Sequence, residues 1–317
     1  MSTSLHSAPT TTKTHVFPLL RLSSPDLIHL PIPKKAINHG NCDLFKGHYR
    51  DGSTVVVVAL KLPRFLGDAS LQAETARRRF EREAKIWADL NHINILPFYG
   101  LIEFPCGAYL ISPWVERGDL AKFLTARLEY FNLPPAGRDT IPAFHNFDES
   151  SIILGIASGL ACLHTNGVIH GDLKGSNILL HDSPNDSLNP LICDFGLTKN
   201  DDDVTSDSMK GVATPRWKCP TLLDVADGSR TRKTDMFSFA MTIYEILSGH
   251  PPFPELSKFQ VQFQYSLGKR PACEPLAWNG RDFAPLWELA TACWDHNPAK
   301  RPDAGDVMES LAHTADQ

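Results

Sequence analysis

The chain has 317 residues, enough for one large two-lobed unit or two modest domains, and 42% of them are hydrophobic, so a sizeable core is available. The formal net charge of -5 argues against a general binder of nucleic acid or membrane surfaces, and no apolar run approaches the length of a membrane span. Seven cysteines are scattered singly, and the first residues show no basic stretch followed by an apolar block. We therefore expect no signal peptide, zinc site or disulfide framework, but a cytoplasmic protein with reduced thiols.

The first third of the chain is predicted to contain strands and one helix. Residues 1–29 are predicted to be a flexible tail, because most of this segment is rich in Ser, Thr and Pro. Residues 54–61 are β-branched nearly throughout and predict a strand, and residues 109–112 predict another. Between them, apolar positions around Phe80 and Trp87 recur every three or four residues, which is typical of a helix.

The second half is predicted to be mainly helical. Apolar residues between Ile152 and Leu163 share one helical face, and Asn166 with Gly167 supplies a left-handed stop. Residues 234–247 are apolar enough for a buried helix, and residues 284–294 predict another. Strands early and helices late indicate an α+β fold with two lobes rather than a doubly wound sheet.

One stretch, residues 124–147, is predicted to be an irregular surface loop. It contains Pro134, Pro135, Gly137 and Pro142, and it has the character of an insertion. The insertion either carries a site for a partner or is tolerated without consequence, and the sequence leaves both interpretations open.

Lys61 and Glu83 form the first candidate pair. Lys61 ends the predicted strand, and we expect its ammonium to point into a cleft. A buried ammonium needs a carboxylate partner, and Glu83 in the following helix is the natural one. Either residue alone would be better explained as a solvated side chain. Their joint occurrence upstream of further polar motifs favours the pair.

Two later motifs place polar residues directly after apolar, strand-like runs. Residues 170–177 contain Asp172, Lys174 and Asn177, and Asp194 follows the second run. Phosphoryl transfer needs positive charge on the phosphates, oxygen ligands for a metal, and a base that orients the acceptor hydroxyl. We predict Asp172 as that base and Lys174 as the group that neutralises the transferred phosphate. Asn177 and Asp194 offer the hard oxygen ligands that magnesium prefers.

These motifs resemble those of the eukaryotic protein kinase family and are most similar to its tyrosine-kinase-like group. A further match is the string at residues 293–302, which resembles a signature of the family's C-terminal lobe. The resemblance runs from about Leu30 to the C-terminus. It implies a small antiparallel β-rich N-lobe with one helix (30–112), a hinge (113–117), and a larger, mainly helical C-lobe (118–317). It also implies that ATP binds in the cleft with magnesium.

The same resemblance assigns further residues to the nucleotide site. It implies that Ser112 is the gatekeeper, that Val115 belongs to the hinge receiving the adenine, and that Asp119 reaches the ribose. Gly40 would be the remaining glycine of the phosphate-binding loop. Asp235, at the start of a buried helix, resembles the residue that anchors the backbone of the catalytic loop.

Acceptor choice is indicated by Lys174, because Ser/Thr-directed kinases carry lysine at this position. Residues 211–217 resemble the substrate-binding loop, with Thr214 placed to contact both Asp172 and Lys174. The resemblance therefore favours phosphorylation of Ser and Thr in protein substrates.

Three departures from the family pattern stand out. The glycine-rich loop keeps only Gly40 and the later Gly47, and the negative charge of Asp43 near the phosphates should weaken ATP binding. Gly171 replaces the arginine that often precedes the catalytic aspartate, so a phosphate on residues 205–208 has no evident local partner.

The third departure is Thr221, which stands where the family has a glutamate paired with the arginine at position 301. Loss of one partner from a buried ion pair costs roughly 3–5 kcal/mol unless another group compensates. The sequence alone reveals no substitute for the missing carboxylate.

Three functions remain open at this point. The leading one is an active, ATP-dependent Ser/Thr protein kinase in signalling. The second is a pseudokinase that binds or scaffolds partners with little turnover, motivated by the poor glycine loop and Thr221. The third is a small-molecule phosphotransferase, which uses a similar His-Gly-Asp-Leu string but lacks a protein-substrate platform. A purely structural α+β domain would not explain why polar residues cluster at these spacings.

Overall fold

The computed structural model describes residues 28–29, 37–39, 42–51, 54–63, 71–104, 107–133, 144, 146–200, 215–222, 229–272, 277–278 and 281–315. The strands are β1 Ile28–His29, β2 Ile37–His39, β3 Cys42–Asp51, β4 Thr54–Pro63, β5 Gly100–Phe104, β6 Gly107–Pro113, β7 Val168–Ile169, β8 Ile178–Asp182, β9 Leu188–Ile192, β10 Lys199–Asn200, β11 Ala277–Trp278 and β12 Arg281–Asp282. The helices are α1 Leu71–Ala88, α2 Leu120–Asn132, α3 Glu149–Thr165, α4 Arg232–Ser248, α5 Lys258–Ser266, α6 Ala284–Cys293 and α7 Ala304–Ala315. An antiparallel sheet early and helices late confirm the predicted α+β fold.

The first part of the chain is an antiparallel sheet with the strand order β1-β3-β4-β6-β5, and β2 also pairs with β3. Alternate side chains of a strand point to opposite faces. In β4, Val58 and Leu60 are buried in a small core with Ile102, Tyr109 and Ile111. Lys61 therefore lies on the other face of the sheet, which is the face that the site uses.

The helical part is organised around α3 and α4. The predicted face of α3 is buried, and the helix begins at its N-cap Asp148, whose carboxylate accepts from Ser151 N. It ends at Asn166, followed by Gly167 with a φ of 69°, as predicted. Helix α4 is buried from Thr234 to Leu247, which confirms the buried helix predicted from its apolar composition.

The predicted loop at 124–147 is wrong in its first part. Residues 124–132 belong to α2, which is capped by the carboxylate of Asp119. Phe144 and Phe147 are buried and pack against Phe123 of that helix. The Pro- and Gly-containing segment 134–143 lies outside the described residues.

Two residues of the predicted tail belong to the sheet, because Ile28 pairs with Tyr49 and His29 with His48. Residues 1–27 lie outside the described part of the chain. Among the described helices, none has both the length and the apolar character needed to cross a bilayer.

Candidate active site

Lys61 joins two carboxylates that come from distant parts of the chain. Its Nζ lies 2.7 Å from Glu83 Oε1, in the middle of α1, and 2.6 Å from Asp194 Oδ1, just after β9. Burial by itself would lower the pKa of Lys61, but the charges of Asp194 and Glu83 hold that pKa well above its ordinary value. The side chain is therefore a positioned ammonium facing the groove between the sheet and the helical part.

The position of Asp194 follows from the pairing of β8 with β9. Ile178 lies opposite Ile192, and Cys193 N donates to Asn177 O at 3.0 Å, so Asn177 and Asp194 flank the same end of this strand pair. Asp194 has a φ of 68°, a left-handed conformation that is uncommon for a residue with a side chain. The chain turns sharply there and carries Asp194 towards Lys61.

Phe195 links this turn to α1. Its ring is buried, and its centroid lies 5.6 Å from that of Trp87 in α1 and 5.7 Å from that of His170, the first residue of the predicted catalytic loop (residues 170–177). The Trp87 indole donates to Leu96 O at 2.6 Å, which fixes its orientation. Packing around Phe195 therefore holds α1, and Glu83 with it, against the segment that carries Asp194.

The catalytic-loop residues form their own hydrogen-bonded group. Lys174 Nζ lies 2.6 Å from Asp172 Oδ2. Asn177 Nδ2 donates to Asp172 O at 2.8 Å and to Asp172 Oδ2 at 3.1 Å. Because the amide nitrogen of Asn177 donates both of these hydrogen bonds, its amide oxygen is the atom that can serve as a metal ligand.

Asp235, in the first turn of α4, accepts hydrogen bonds from the backbone of this loop. Its Oδ2 accepts from His170 N and its Oδ1 from Gly171 N, each at 2.8 Å, and Oδ2 also lies 3.1 Å from His164 Nε2. Burial alone would raise the pKa of Asp235, but the hydrogen bond and charge of His164 keep that pKa below its usual value. A charged Asp235 thus fastens two successive backbone amides of the loop to α4.

The residues assigned to adenine and ribose lie along β6 and the start of α2. Ser112 is buried opposite Ala59, on the face of the sheet that carries Lys61, and Val115 is buried just beyond the strand. Asp119 caps α2: its Oδ1 accepts from Lys122 N at 3.0 Å, and its Oδ2 lies 2.7 Å from Lys122 Nζ. Contact of Asp119 with a ribose remains a prediction, and it would compete with this cap.

Strands β2 and β3 flank the position of the expected glycine-rich loop. Their register pairs His39 with Cys42, and Gly40 lies outside the described residues. Asp43 pairs with Leu62, whereas Leu44 pairs with Lys61. Strand alternation therefore places Asp43 on the face opposite to Lys61, which corrects the expectation that its charge acts directly at the phosphates.

The side chain of Arg230 occupies the space beside Gly171. The φ of Gly171 is 77°, and a Cβ there would lie 2.7 Å from Arg230 Cδ. Arg230 donates to the backbone oxygen of Leu197. An arginine at position 171 would therefore meet both backbone strain and a side chain already in place. Residues 205–208 and Thr214 lie outside the described part of the chain.

Arg301 is buried, with 2% of its surface exposed, and the structure shows what replaces its missing glutamate. Nη1 donates to Lys233 O at 2.7 Å and to Cys219 Sγ at 3.3 Å, and Nε donates to Asp295 O at 2.9 Å. Thr221 is exposed and lies beside Cys219. Backbone carbonyls and a thiol thus solvate the guanidinium, which supplies the compensation that the sequence did not reveal.

Sequence reasoning missed Glu245, a buried carboxylate inside α4. Its Oε2 accepts from Gly175 N at 3.0 Å and from Trp217 Nε1 at 2.9 Å. Burial raises the pKa of Glu245 to about 7. The sequence signal for Glu245 was an acidic residue in a segment predicted to be a buried helix. A buried carboxylate needs hydrogen-bond donors inside the protein. Glu245 joins the catalytic loop to the turn at residues 215–217.

Comparison with known proteins gives one family. A model described as protein tyrosine and serine/threonine kinase matches residues 34–311. The serine/threonine/tyrosine-protein kinase HT1 of Arabidopsis thaliana is 26% identical over 90% of this chain and 66% of its own length. The probable serine/threonine-protein kinase drkC of Dictyostelium discoideum is 28% identical over 94% of this chain and 36% of its own length. The serine/threonine-protein kinase VIK of Arabidopsis thaliana is 31% identical over 85% of this chain and 56% of its own length. The chain thus spans less than two thirds of the length of these relatives.

Proposed function

Since the chain belongs to the protein tyrosine and serine/threonine kinase family, we propose that it is an active kinase that transfers the γ-phosphate of ATP to Ser or Thr hydroxyls of protein substrates. The observation that carries the proposal is the position of Lys61, which contacts Glu83 and Asp194 at the same time. A binding module without turnover has no need of this arrangement together with an ordered catalytic loop.

Each side chain has a separate role in the proposed reaction. Lys61, held by Glu83 and Asp194, places a positive charge for the phosphates of the nucleotide. Asp172 orients the acceptor hydroxyl and receives its proton as the oxygen attacks phosphorus. Lys174, 2.6 Å from that carboxylate, lies where it can neutralise charge on the transferred phosphoryl group. Asp235 and Glu245 keep the backbone of the loop in place.

Magnesium is proposed as the metal, with Asn177 and Asp194 as its protein ligands. Among the described residues, no three His, Cys, Asp or Glu side chains cluster as a metal site built by protein alone. One amide oxygen and one carboxylate suit an ion that takes its other ligands from phosphate oxygens and water, as magnesium does. Bound there, magnesium would supply positive charge that offsets the charge of the nucleotide's phosphates.

Ser/Thr acceptors are proposed because of Lys174 and because several relatives are named as serine/threonine kinases. A small-molecule acceptor is disfavoured by the segment 215–222, which hydrogen bonds from Arg301 and to Glu245 connect to the helical part.

A cytoplasmic location is also part of the proposal. The cysteines in the described residues are all free thiols, which suits a reducing compartment.

The proposal is tested by transfer of labelled γ-phosphate to a generic protein substrate, with Asp172→Asn as the matched control. This substitution keeps the size of the side chain and removes the base. We expect label on Ser and Thr with the natural chain, and at least about a hundredfold less with the variant. Equal label on both proteins at equal Tm would contradict the proposal and leave the pseudokinase, which the poor glycine loop favours.

A further inference from the structure

Helix α5 presents an apolar surface to solvent. Phe259, Phe263 and Leu267 follow one another at intervals of four residues and are 83%, 61% and 55% exposed. Residues four apart lie on the same side of a helix, so the three side chains form one continuous strip, here called the α5 strip. The opposite side of the helix is anchored by Val261 and Tyr265, which are buried. Two exposed phenylalanines in one strip are unusual on a solvent-facing surface.

Every charged side chain in α5 and in the residues directly after it is positive, although the chain as a whole is negative. Lys258 begins the helix, Lys269 follows it, and both are exposed. Residues 258–272 contain no Asp or Glu, and the nearest acidic residue before them, Glu255, precedes the N-cap Ser257. The net charge of the chain is -5, so residues 258–272, with three basic and no acidic side chains, are a basic segment of an acidic protein. A partner with acidic groups would complement it.

The α5 strip is connected to the catalytic loop through short, rigid contacts. Tyr265 donates to the backbone oxygen of Arg216, and the Arg216 guanidinium donates to Pro252 O at 2.7 Å in the segment before α5. The next residue, Trp217, donates to Glu245, which also accepts from Gly175 N in the catalytic loop. A polypeptide bound on α5 would therefore be held at a defined position relative to Asp172.

We propose that the α5 strip docks protein substrates through an acidic amphipathic helix, whose apolar side chains cover Phe259, Phe263 and Leu267 and whose carboxylates face Lys258 and Lys269. A second copy of the chain fits less well, because antiparallel pairing of two α5 helices would bring Lys258 of one copy near Lys269 of the other. The assignment of the partner as a substrate rests on the proposed kinase activity. The surface and its preference for an acidic apolar helix do not depend on turnover.

Binding is tested with a labelled synthetic helix of about 18 residues, or five turns, that carries Leu at intervals of four and Glu beside them. Fluorescence anisotropy on the full chain should show saturable binding. The double variant Phe259→Ser and Phe263→Ser should weaken it at least about tenfold. The matched control is Ile93→Ser, since Ile93 is 74% exposed elsewhere on the surface. That control should bind like the natural chain, and a peptide with Lys in place of Glu should bind at least about tenfold more weakly.

Catalysis supplies the second readout. An acceptor peptide extended by the same helix should have a lower KM than the acceptor peptide alone, with equal kcat, and the double variant should remove this difference only. If no peptide is phosphorylated but binding follows the pattern above, the kinase proposal fails and the docking surface stands. Equal binding of the Glu and Lys peptides, or equal loss with Ile93→Ser, would overturn the docking proposal. A dimer in sedimentation that the double variant dissociates would also overturn it, because the occupant would then be a second copy.

Discussion

Glu245 makes the stability of the fold depend on pH in a direction opposite to that of an ordinary ion-paired carboxylate. Burial raises its pKa from 4.5 to about 7 in the folded chain, and the nearby charge of Asp119 adds to the increase while Lys174 opposes it. Between these two values the folded chain keeps a proton that the unfolded chain releases. The contribution of Glu245 to stability is therefore full below about pH 4.5 and is lost as the pH rises through about 7.

The magnitude follows from the difference between the two pKa values. At 1.36 kcal/mol for each pH unit, a change from 4.5 to about 7 is worth about 3 kcal/mol. Glu245→Gln removes the charge but keeps an oxygen that can accept from Gly175 N and Trp217 Nε1. We predict that this variant has a Tm higher than that of the natural chain by about 5 °C at pH 8, and that the difference falls to about 1 °C at pH 5.

Thermal unfolding of both proteins between pH 5 and pH 8 measures this effect. Glu255→Gln is the matched control, because Glu255 is an exposed glutamate just before α5, and its effect should be the same at both pH values. Glu245→Ala should lower the Tm at every pH, since two buried donors then lose their acceptor at about 1–3 kcal/mol each. A Glu245→Gln variant that is less stable than the natural chain at pH 8, or whose difference is constant with pH, would refute the reasoning.

Two further predictions concern the departures from the family pattern. Cys219→Ala should lower the free energy of unfolding by about 1–2 kcal/mol in chemical denaturation, because Arg301 loses its sulfur acceptor, whereas Cys219→Ser should keep most of that stability. An unchanged midpoint in the alanine variant would show that the backbone carbonyls alone satisfy the guanidinium. Replacing Thr205, Ser206 and Ser208 with Ala should leave kinase activity largely intact, since Gly171 offers no guanidinium to a phosphate there and the Arg230 guanidinium beside it already donates to Leu197 O; loss of most activity without unfolding would contradict this.

Local sequence signals predicted the elements that carry the site. The β-branched run of β4, the apolar face of α3 and the apolar length of α4 each depend on residues that are neighbours along the chain. Helix α2 is missed because the prolines and the glycine at 134–142 predict a loop, and the predicted loop begins at residue 124, inside the helix. The residue that marks its start, Asp119, was assigned to the ribose rather than to the N-cap.

The remaining features depend on contacts between residues far apart in sequence. Cys219 and Arg301 are 82 positions apart, so no local pattern indicates that the thiol supports the guanidinium. The face on which Asp43 lies is set by its register against β4, which a broken glycine motif does not predict. The pairing of Lys61 with Glu83 was predictable because a buried ammonium requires a carboxylate, and α1 offers one at the right position.

The most direct test of the central claim is the thermal stability of the full chain in ATP with magnesium, compared with ATP and a chelator. We predict a Tm that rises with nucleotide only when the metal is present, since binding at 100 times Kd stabilises by about 2.7 kcal/mol. Asp172→Asn should keep this shift, and Asp194→Asn should lose it, because Asp194 is one of the two proposed metal ligands and Asp172 is not. A natural chain whose Tm is the same with and without the metal, at saturating ATP, would contradict the account.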